Sequence, residues 1–379
     1  MRPAASLALI GGWLGLMAVA VATGGAQTVR PFAAVRETRG DGVAELKGVV
    51  TLAAGAKRSV LRYPLAGWNG GLVVGAHGGS GGNNFSRDGR VIGTDETALD
   101  DVIGRHAVAS GFAYASVDRD GAIDAAGGLA LTSEFADLAA AELAERTGRA
   151  PARRYLLGLS MGGGIARLAA ETPGTPYAGV VIVAGAGGDL PTRQARQARL
   201  AELWPGIDPR AHPGLPASDP KIVAFAEAIG TPVAARRLWP YTAAGAVRAA
   251  AATSPAPAGP NSSGRVQVPT IEVAGTWDDF VITELKAYRA RVSPPARHRL
   301  YLVEGVWHMS GDDDGTASFQ YIATRMGLDA DVADAMGDGP SYIPTVHMAF
   351  DALVRWVERG DAPPPGGTLA PGAPLAGAQ

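Results

Sequence analysis

Cysteine is absent from all 379 residues of the chain. That absence removes disulfides, a thiol nucleophile and thiolate metal sites together. Surplus charge is missing as well. The 34 Lys and Arg nearly balance the 36 Asp and Glu, leaving a net charge of −2, so nothing suggests a nucleic-acid surface. An apolar run at the N-terminus, Leu7–Ala22, is too short at about 16 residues for a membrane span, which needs roughly 20, and three glycines interrupt it. With Arg2 ahead of it and the small residues Gly24-Gly25-Ala26 behind it, residues 1–26 read as a signal peptide. A lone arginine does not fit a twin-arginine signal, and without cysteine no lipid can be attached at the cut. The expectation is a secreted or periplasmic protein with no stable membrane anchor after signal cleavage.

The remaining 353 residues are enough for a large core that needs no disulfides. Short apolar segments at Val49–Leu52, Ser59–Tyr63, Leu72–Ala76, Phe112–Val117, Tyr155–Leu157, Gly179–Val183, Thr270–Ala274 and Arg299–Val303 read as eight strands. Helical patterns lie among them at Asp95–Ser110, Thr132–Thr147 and Thr345–Arg359, the last with apolar residues at i, i+4, i+7, i+8 and i+11. Alternating strand and helix predict an α/β fold: a mostly parallel eight-stranded sheet with helices on both faces. No helix separates the first two strands, so that edge is expected to be antiparallel. Residues 27–184 and 269–361 form the expected core. Residues 185–268 are too many for a simple connection and are read as a helical lid insertion over the carboxyl ends of the strands. The Pro/Gly/Ala-rich tail, 362–379, is expected to be disordered.

Chemistry concentrates at strand ends. Gly158-Leu159-Ser160-Met161-Gly162 matches Gly-x-Ser-x-Gly, but 52 glycines and 16 serines supply roughly a third of one match by chance. A second match, Gly78-Gly79-Ser80-Gly81-Gly82, runs into loop-forming residues. Ser160 instead follows a strand and precedes a helical pattern, the setting of a nucleophile elbow. A serine hydroxyl needs an imidazole to take its proton and a carboxylate to orient that imidazole. Asp278 leaves the strand Thr270–Ala274, and His308 follows the next strand about 30 residues on, which is the order that architecture requires. Asp279 is the adjacent rival for the acid, and Asp118 a remote one. His106, His212, His298 and His347 read as surface or packing residues. The loop His77-Gly78-Gly79 leaves another strand, and its backbone N–H groups, with that of Met161, are candidates for an oxyanion hole: Gly79 and Met161. A phosphate-cradling loop would need a trailing Lys-Ser/Thr, which is missing. His77 is read as a prop for that loop. Asp312-Asp313-Asp314 and the spaced Asp329, Asp331 and Asp334 lack the alternation of a calcium loop.

Together the oxyanion loop, the elbow, Asp278, His308 and the strand order resemble the α/β-hydrolase superfamily, across about residues 45 to 360. The long insertion and the closing Trp356–Pro363 are similar to tannase and feruloyl-esterase-type enzymes. Those enzymes tie serine to histidine through a disulfide between neighbouring cysteines, where this chain has Leu159 and Met309. The resemblance implies a serine carboxylic-ester hydrolase working through an acyl-enzyme, with catalytic Ser160, Asp278 and His308, a small-molecule ester substrate and no cofactor or metal. A peptidase or acyltransferase on the same framework, or a catalytically silent binding protein, are the alternatives. Trp204, Trp239 and Tyr241 in the insertion, with Trp277 and Trp307 beside the candidate acid and base, either line an apolar pocket or pack the insertion onto the core.

Overall fold

The structure is a computed structural model that describes residues 32, 36–78, 84–85, 91–93, 103–119, 124–240, 243, 247, 262–308 and 339–378. The expected signal peptide, residues 1–26, lies outside them. Strands β1 (Arg36–Gly40), β2 (Val43–Leu52) and β3 (Gly55–Pro64) come first, joined by tight turns. β4 (Gly71–Ala76) follows, then a small separate hairpin of β5 (Asn84–Phe85) and β6 (Val91–Gly93). The chain continues through α1 (Arg105–Ala109), β7 (Ala113–Val117), α2 (Ala125–Thr147), β8 (Arg153–Leu159), α3 (Met161–Glu171) and β9 (Gly179–Val183). The insertion contributes α4 (Leu190–Leu203) and α5 (Pro220–Ile229). Then come β10 (Thr270–Gly275), α6 (Ile282–Arg291), β11 (His298–Val303), α7 (Ile343–Arg359) and β12 (Gly367–Leu369).

The main sheet has the order β1-β2-β3-β7-β4-β8-β9-β10-β11-β12. From β7 to β12 every neighbouring pair is parallel, while β1, β2, β3 and β7 pair antiparallel, as the missing helix at that edge predicts. All eight expected strands are present, but the sheet has ten. The two additions are at the edges. β1, Arg-Glu-Thr-Arg-Gly, carries charge instead of an apolar alternation.

β12 corrects the expectation of a disordered tail. Its backbone pairs with β11 from Tyr301↔Gly367 to Val303↔Leu369, and the side chains of Leu369 and Leu375 are buried. Arg299 Nε donates to the Pro363 carbonyl and the Tyr301 hydroxyl to that of Pro364. Composition marked the segment as a poor core former. Two leucines and an open sheet edge are enough to hold it.

Two apolar layers sandwich the sheet. On one face α2 and α3 bring Leu131, Phe135, Leu143, Ile165 and Ala169 against Leu72, Val74, Leu156 and Ile182. On the other, α1 and α7 bring Ala107, Val346, Phe350 and Leu353 against Val73, Tyr155, Val181 and Val273. The alternation of β4, Leu72 and Val74 one way and Val73 the other, is the period-2 rule of a strand buried on both sides. α2 begins seven residues earlier than expected, because Asp124 caps it by accepting the Gly127 N–H and so carries the helix through Gly127-Gly128.

The insertion builds its own small core from Leu200, Trp204, Ile207, Ile222, Phe225, Ile229 and Trp239. Asp219 as N-cap and Pro220 at the first helical position start α5. Trp204 and Trp239 flank Phe225 at ring distances of 5.7 and 5.0 Å, so these rings pack the core of the insertion. Tyr241 lies outside the described residues. The expected boundary at 268 shifts, since Ser263 and Gly264 already bind Glu171 of α3 and Gln267 N–H donates to Ala170.

Candidate active site

β4, β8, β10 and β11 end along one edge of the sheet, with β9 between β8 and β10, and each passes a singled-out residue to the loop beyond its carboxyl end. The chain leaves β4 toward β7 on one side and later places β8 on the other, so the site lies at a switch point of strand order. Ser160 follows β8 with φ 53° and ψ −115°, a conformation that L side chains resist. Two close approaches impose it. A Cβ on Gly158 would lie 2.2 Å from the Gly162 carbonyl oxygen, and one on Gly162 would lie 1.9 Å from that of Ala76. Only glycine lets α3 fold back against β8 and β4 at this distance.

The elbow is held by main-chain bonds. Ser160 N–H donates to Val183 O at 2.9 Å, and Ser160 O accepts from Gly163 N–H and Ala186 N–H, both at 2.9 Å. The loop beyond β9 therefore locks directly onto the serine backbone.

Ser160 Oγ lies 2.9 Å from His308 Nε2, and His308 Nδ1 lies 3.0 Å from both oxygens of Asp278. A carboxylate has no hydrogen to give, so Nδ1 carries the proton and the lone pair of Nε2 faces the serine hydroxyl. Asp278 is fully buried and His308 nearly so. Burial alone would lower the pKa of His308, but the charge and hydrogen bond of Asp278 outweigh it and hold the imidazole above its ordinary value.

The rival aspartate points elsewhere. Asp279 is buried too, but its Oδ1 accepts the Trp307 indole N–H at 2.8 Å. Asp118 lies 3.2 Å from His77, and although burial raises its pKa, the ion pair with Arg58 helps hold its carboxyl below the ordinary range. His106 stacks on His347 and contacts Asp351, His298 sits beside buried Glu272, and His212 faces Pro205 O.

The oxyanion candidates divide. Met161 is the first residue of α3, so its N–H, like all in a first helical turn, has no partner within the helix. Gly79 lies outside the described residues, as do Ser80 and the aspartates of 312–314 and 329–334. Its neighbour Gly78 runs against the nucleophile, with a Cβ there meeting Ser160 Cβ at 2.9 Å. His77 is buried behind this loop, accepting the Arg119 N–H at Nε2 and donating from Nδ1 to Gly78 O at 2.7 Å.

The family described as the α/β hydrolase domain matches residues 223–371, a stretch that holds Asp278 and His308. Feruloyl esterase B from Aspergillus oryzae is similar over 85% of this chain and 81% of its own, at 15% identity and a TM-score of 0.51. An esterase from the same organism is similar over the same shares, at 14% identity and a TM-score of 0.48. No curated protein matches the chain in sequence. The chain has an α/β-hydrolase fold.

Within this fold, sequence reasoning missed three side chains around His308. The Phe280 ring packs 4.9 Å from the His308 ring, and the Tyr342 hydroxyl donates to the His308 carbonyl at 3.1 Å. Arg196, buried on α4, donates from Nη2 to Phe280 O at 2.6 Å and so ties the insertion to the acid loop. Phe280 follows Asp279 directly and could have been read from the motif. Tyr342 and Arg196 are distant in sequence, and nothing local marks them.

Proposed function

We propose that the protein is an exported serine hydrolase that cleaves carboxylic esters through an acyl-enzyme. The carrying observation is the hydrogen-bonded chain from the strained Ser160 through His308 to buried Asp278. In this reading His308 Nε2 takes the hydroxyl proton as Oγ attacks the ester carbonyl. The N–H groups of Met161 and Gly79 receive the developing oxyanion, and Asp278 stabilises the imidazolium. Collapse of the tetrahedral intermediate expels the alcohol, which leaves with the proton from His308. Water then repeats the cycle on the acyl-serine and releases the acid. A small-molecule ester fits this chemistry and no cofactor enters it.

A fluorophosphonate probe should label the wild-type protein at Ser160 and leave Ser160→Ala unlabelled. Hydrolysis of acetyl, butyryl, octanoyl and feruloyl esters sharing one leaving group should release the acid in parallel. An unlabelled wild-type protein would instead indicate a silent binding protein. Labelling with peptide cleavage, or with acyl transfer to an alcohol, would move the reading to a peptidase or an acyltransferase.

Export rests on residues 1–26. Among the described residues no helix is long and apolar enough to cross a membrane. N-terminal sequencing of protein recovered outside the cytoplasm should begin near Gln27. An intact Met1 in the recovered protein would reverse that reading.

A further inference from the structure

The loop that leaves β9 reads Ala184-Gly185-Ala186-Gly187-Gly188, with no side chain larger than a methyl group. Such a stretch has little to fix its own path, and its glycines lose much conformational freedom on folding. Yet it meets the nucleophile at a strained junction. Among the described residues the non-glycine residues with positive φ are Asp41, Ser160 at 53° and Ala184 at 46°, and the last two belong to this junction. Ser160 N–H donates to Val183 O at 2.9 Å and Ala186 N–H to Ser160 O at 2.9 Å, while Ala184 N–H donates to Val273 O of β10 at 2.8 Å. A residue in such a conformation persists only where its surroundings over-determine it.

The constraint on the loop comes from α3. Arg167, about two turns along that helix from Ser160, is fully buried. Its Nη1 donates to Ala186 O at 2.7 Å and its Nη2 to Gly185 O at 3.3 Å. Nε and Nη2 also donate to Glu272 Oε1, at 3.0 and 2.7 Å, which fastens the head group to β10. Tyr288 covers the guanidinium, whose carbon lies 4.7 Å from the ring centre. The backbones pack as closely, since a Cβ on Gly163 would lie 2.4 Å from Gly185 Cα. The loop is thus pressed against α3 and held there by one side chain.

An apolar pair at 167 and 272 could fill the same space, and a buried ion pair adds little stability over such a pair. An apolar pair cannot donate to two loop carbonyls. The loop therefore accounts for a guanidinium here, where the stability of the core does not.

We propose that Arg167 is a positioning residue for the nucleophile. By holding the carbonyls of Gly185 and Ala186 it fixes the loop after β9, and through the Ala186 N–H that loop holds the Ser160 carbonyl and the strained φ of the elbow. The aim of Oγ at His308 and the direction of the Met161 N–H both follow from that backbone. This role rests on the serine-hydrolase reading of the same site.

The test is Arg167→Met/Glu272→Met, which removes both loop donors without stranding a buried charge. With 4-nitrophenyl butyrate, kcat should fall about 100-fold, the cost of a small misplacement of a reacting group, while KM stays within about twofold. Fluorophosphonate labelling of Ser160 should slow in parallel. Leu143→Ala, a buried truncation on α2, is the control for stability alone: it should lower Tm and leave kcat unchanged. Wild-type kcat in the folded double variant, or the same loss in Leu143→Ala, overturns the proposal. Arg167→Lys keeps the ion pair but offers one nitrogen where the guanidinium spans three acceptors. Its kcat should lie between the two, about tenfold below wild type, and wild-type kcat in this variant also overturns the proposal.

Hydrogen exchange separates this from failure of the ester reading and needs no activity. In the wild type the amides of Ser160, Ala184 and Ala186 should exchange only through global unfolding. In the Arg167 variants they should exchange by local opening, while the amides of β4 and β8 keep their protection. If no ester is hydrolysed and no probe reacts, that pattern still upholds Arg167 as the clamp on the loop. An Ala186 amide that opens locally in the wild type, or stays equally protected in the variants, overturns it.

Discussion

Two buried arginines differ in how fully they are answered, one in the core and one at the root of the insertion. Arg167 of α3 is fully buried and fully answered. Its Nε and Nη2 bind Glu272 at 3.0 and 2.7 Å, and Nη1 and Nη2 also reach the carbonyls of Ala186 and Gly185. Its charge, stronger than the effect of burial, holds the Glu272 carboxyl down at about 2. Arg196 is buried nearly as deeply but binds one carbonyl only. The same side chain thus serves as a closed structural tie in the core and, at the root of the insertion, as a link to the Phe280 carbonyl. The core tie closes on itself, and the insertion's arginine links two separate segments.

The largest effects belong to the core side. Asp278→Asn should lower kcat by about 10⁴-fold, since losing the orienting carboxylate misdirects the imidazole. Asp279→Asn, which keeps an acceptor for the Trp307 N–H, should lower it far less. Steady-state kinetics on both variants decides this, and the reverse ranking would move the acid by one residue.

Next is the closed tie itself. Glu272→Gln strands the Arg167 charge and should cost about 3–5 kcal/mol in urea unfolding, whereas replacing both partners with apolar residues should cost less. The pH dependence has a definite sign. Glu272 ionises below its ordinary value in the folded protein, so the unfolded chain binds more protons. Its contribution is present in full above about pH 4.5 and is lost as pH falls toward 2. If stability is flat across that window, the pair is not the closed structural tie described here.

A smaller effect is expected in the rate profile. His308 must be neutral to act as base, and Asp278 raises its pKa. The acid limb of kcat/KM should therefore lie above the ordinary ~6.5 of histidine. A limb below that value would mean that burial prevails over Asp278.

The smallest effect belongs to the insertion's interior. Trp239→Phe removes the indole hydrogen bond to Thr231 Oγ1 at 3.1 Å and keeps most of the ring packing. It should cost about 1 kcal/mol of stability and leave kcat/KM unchanged. A changed kcat/KM would mean that this core shapes the substrate site.

The sequence by itself determined the elements whose signals are local. Buried parallel strands are short apolar runs, so all eight were readable, and Gly179–Val183 to the residue. Glycines at 158 and 162 marked the elbow because only a Cβ-free residue permits the close approach there. The order of Ser160, Asp278 and His308 followed from the connectivity of such a sheet. Tertiary structure alone decided the rest. β1 and β12 lack apolar alternation and exist because a neighbouring strand offers unpaired backbone groups. Trp204 and Trp239 read equally well as pocket or packing until Phe225 was found between them. The choice between two adjacent aspartates turned on which side chain points at His308 and which at Trp307. Arg196 of α4 carries no motif at all. Only the folding of the insertion's root against the loop after β10 brings Arg196 to the Phe280 carbonyl, 84 positions away in the chain, because hydrogen bonding needs closeness in space and not along the sequence.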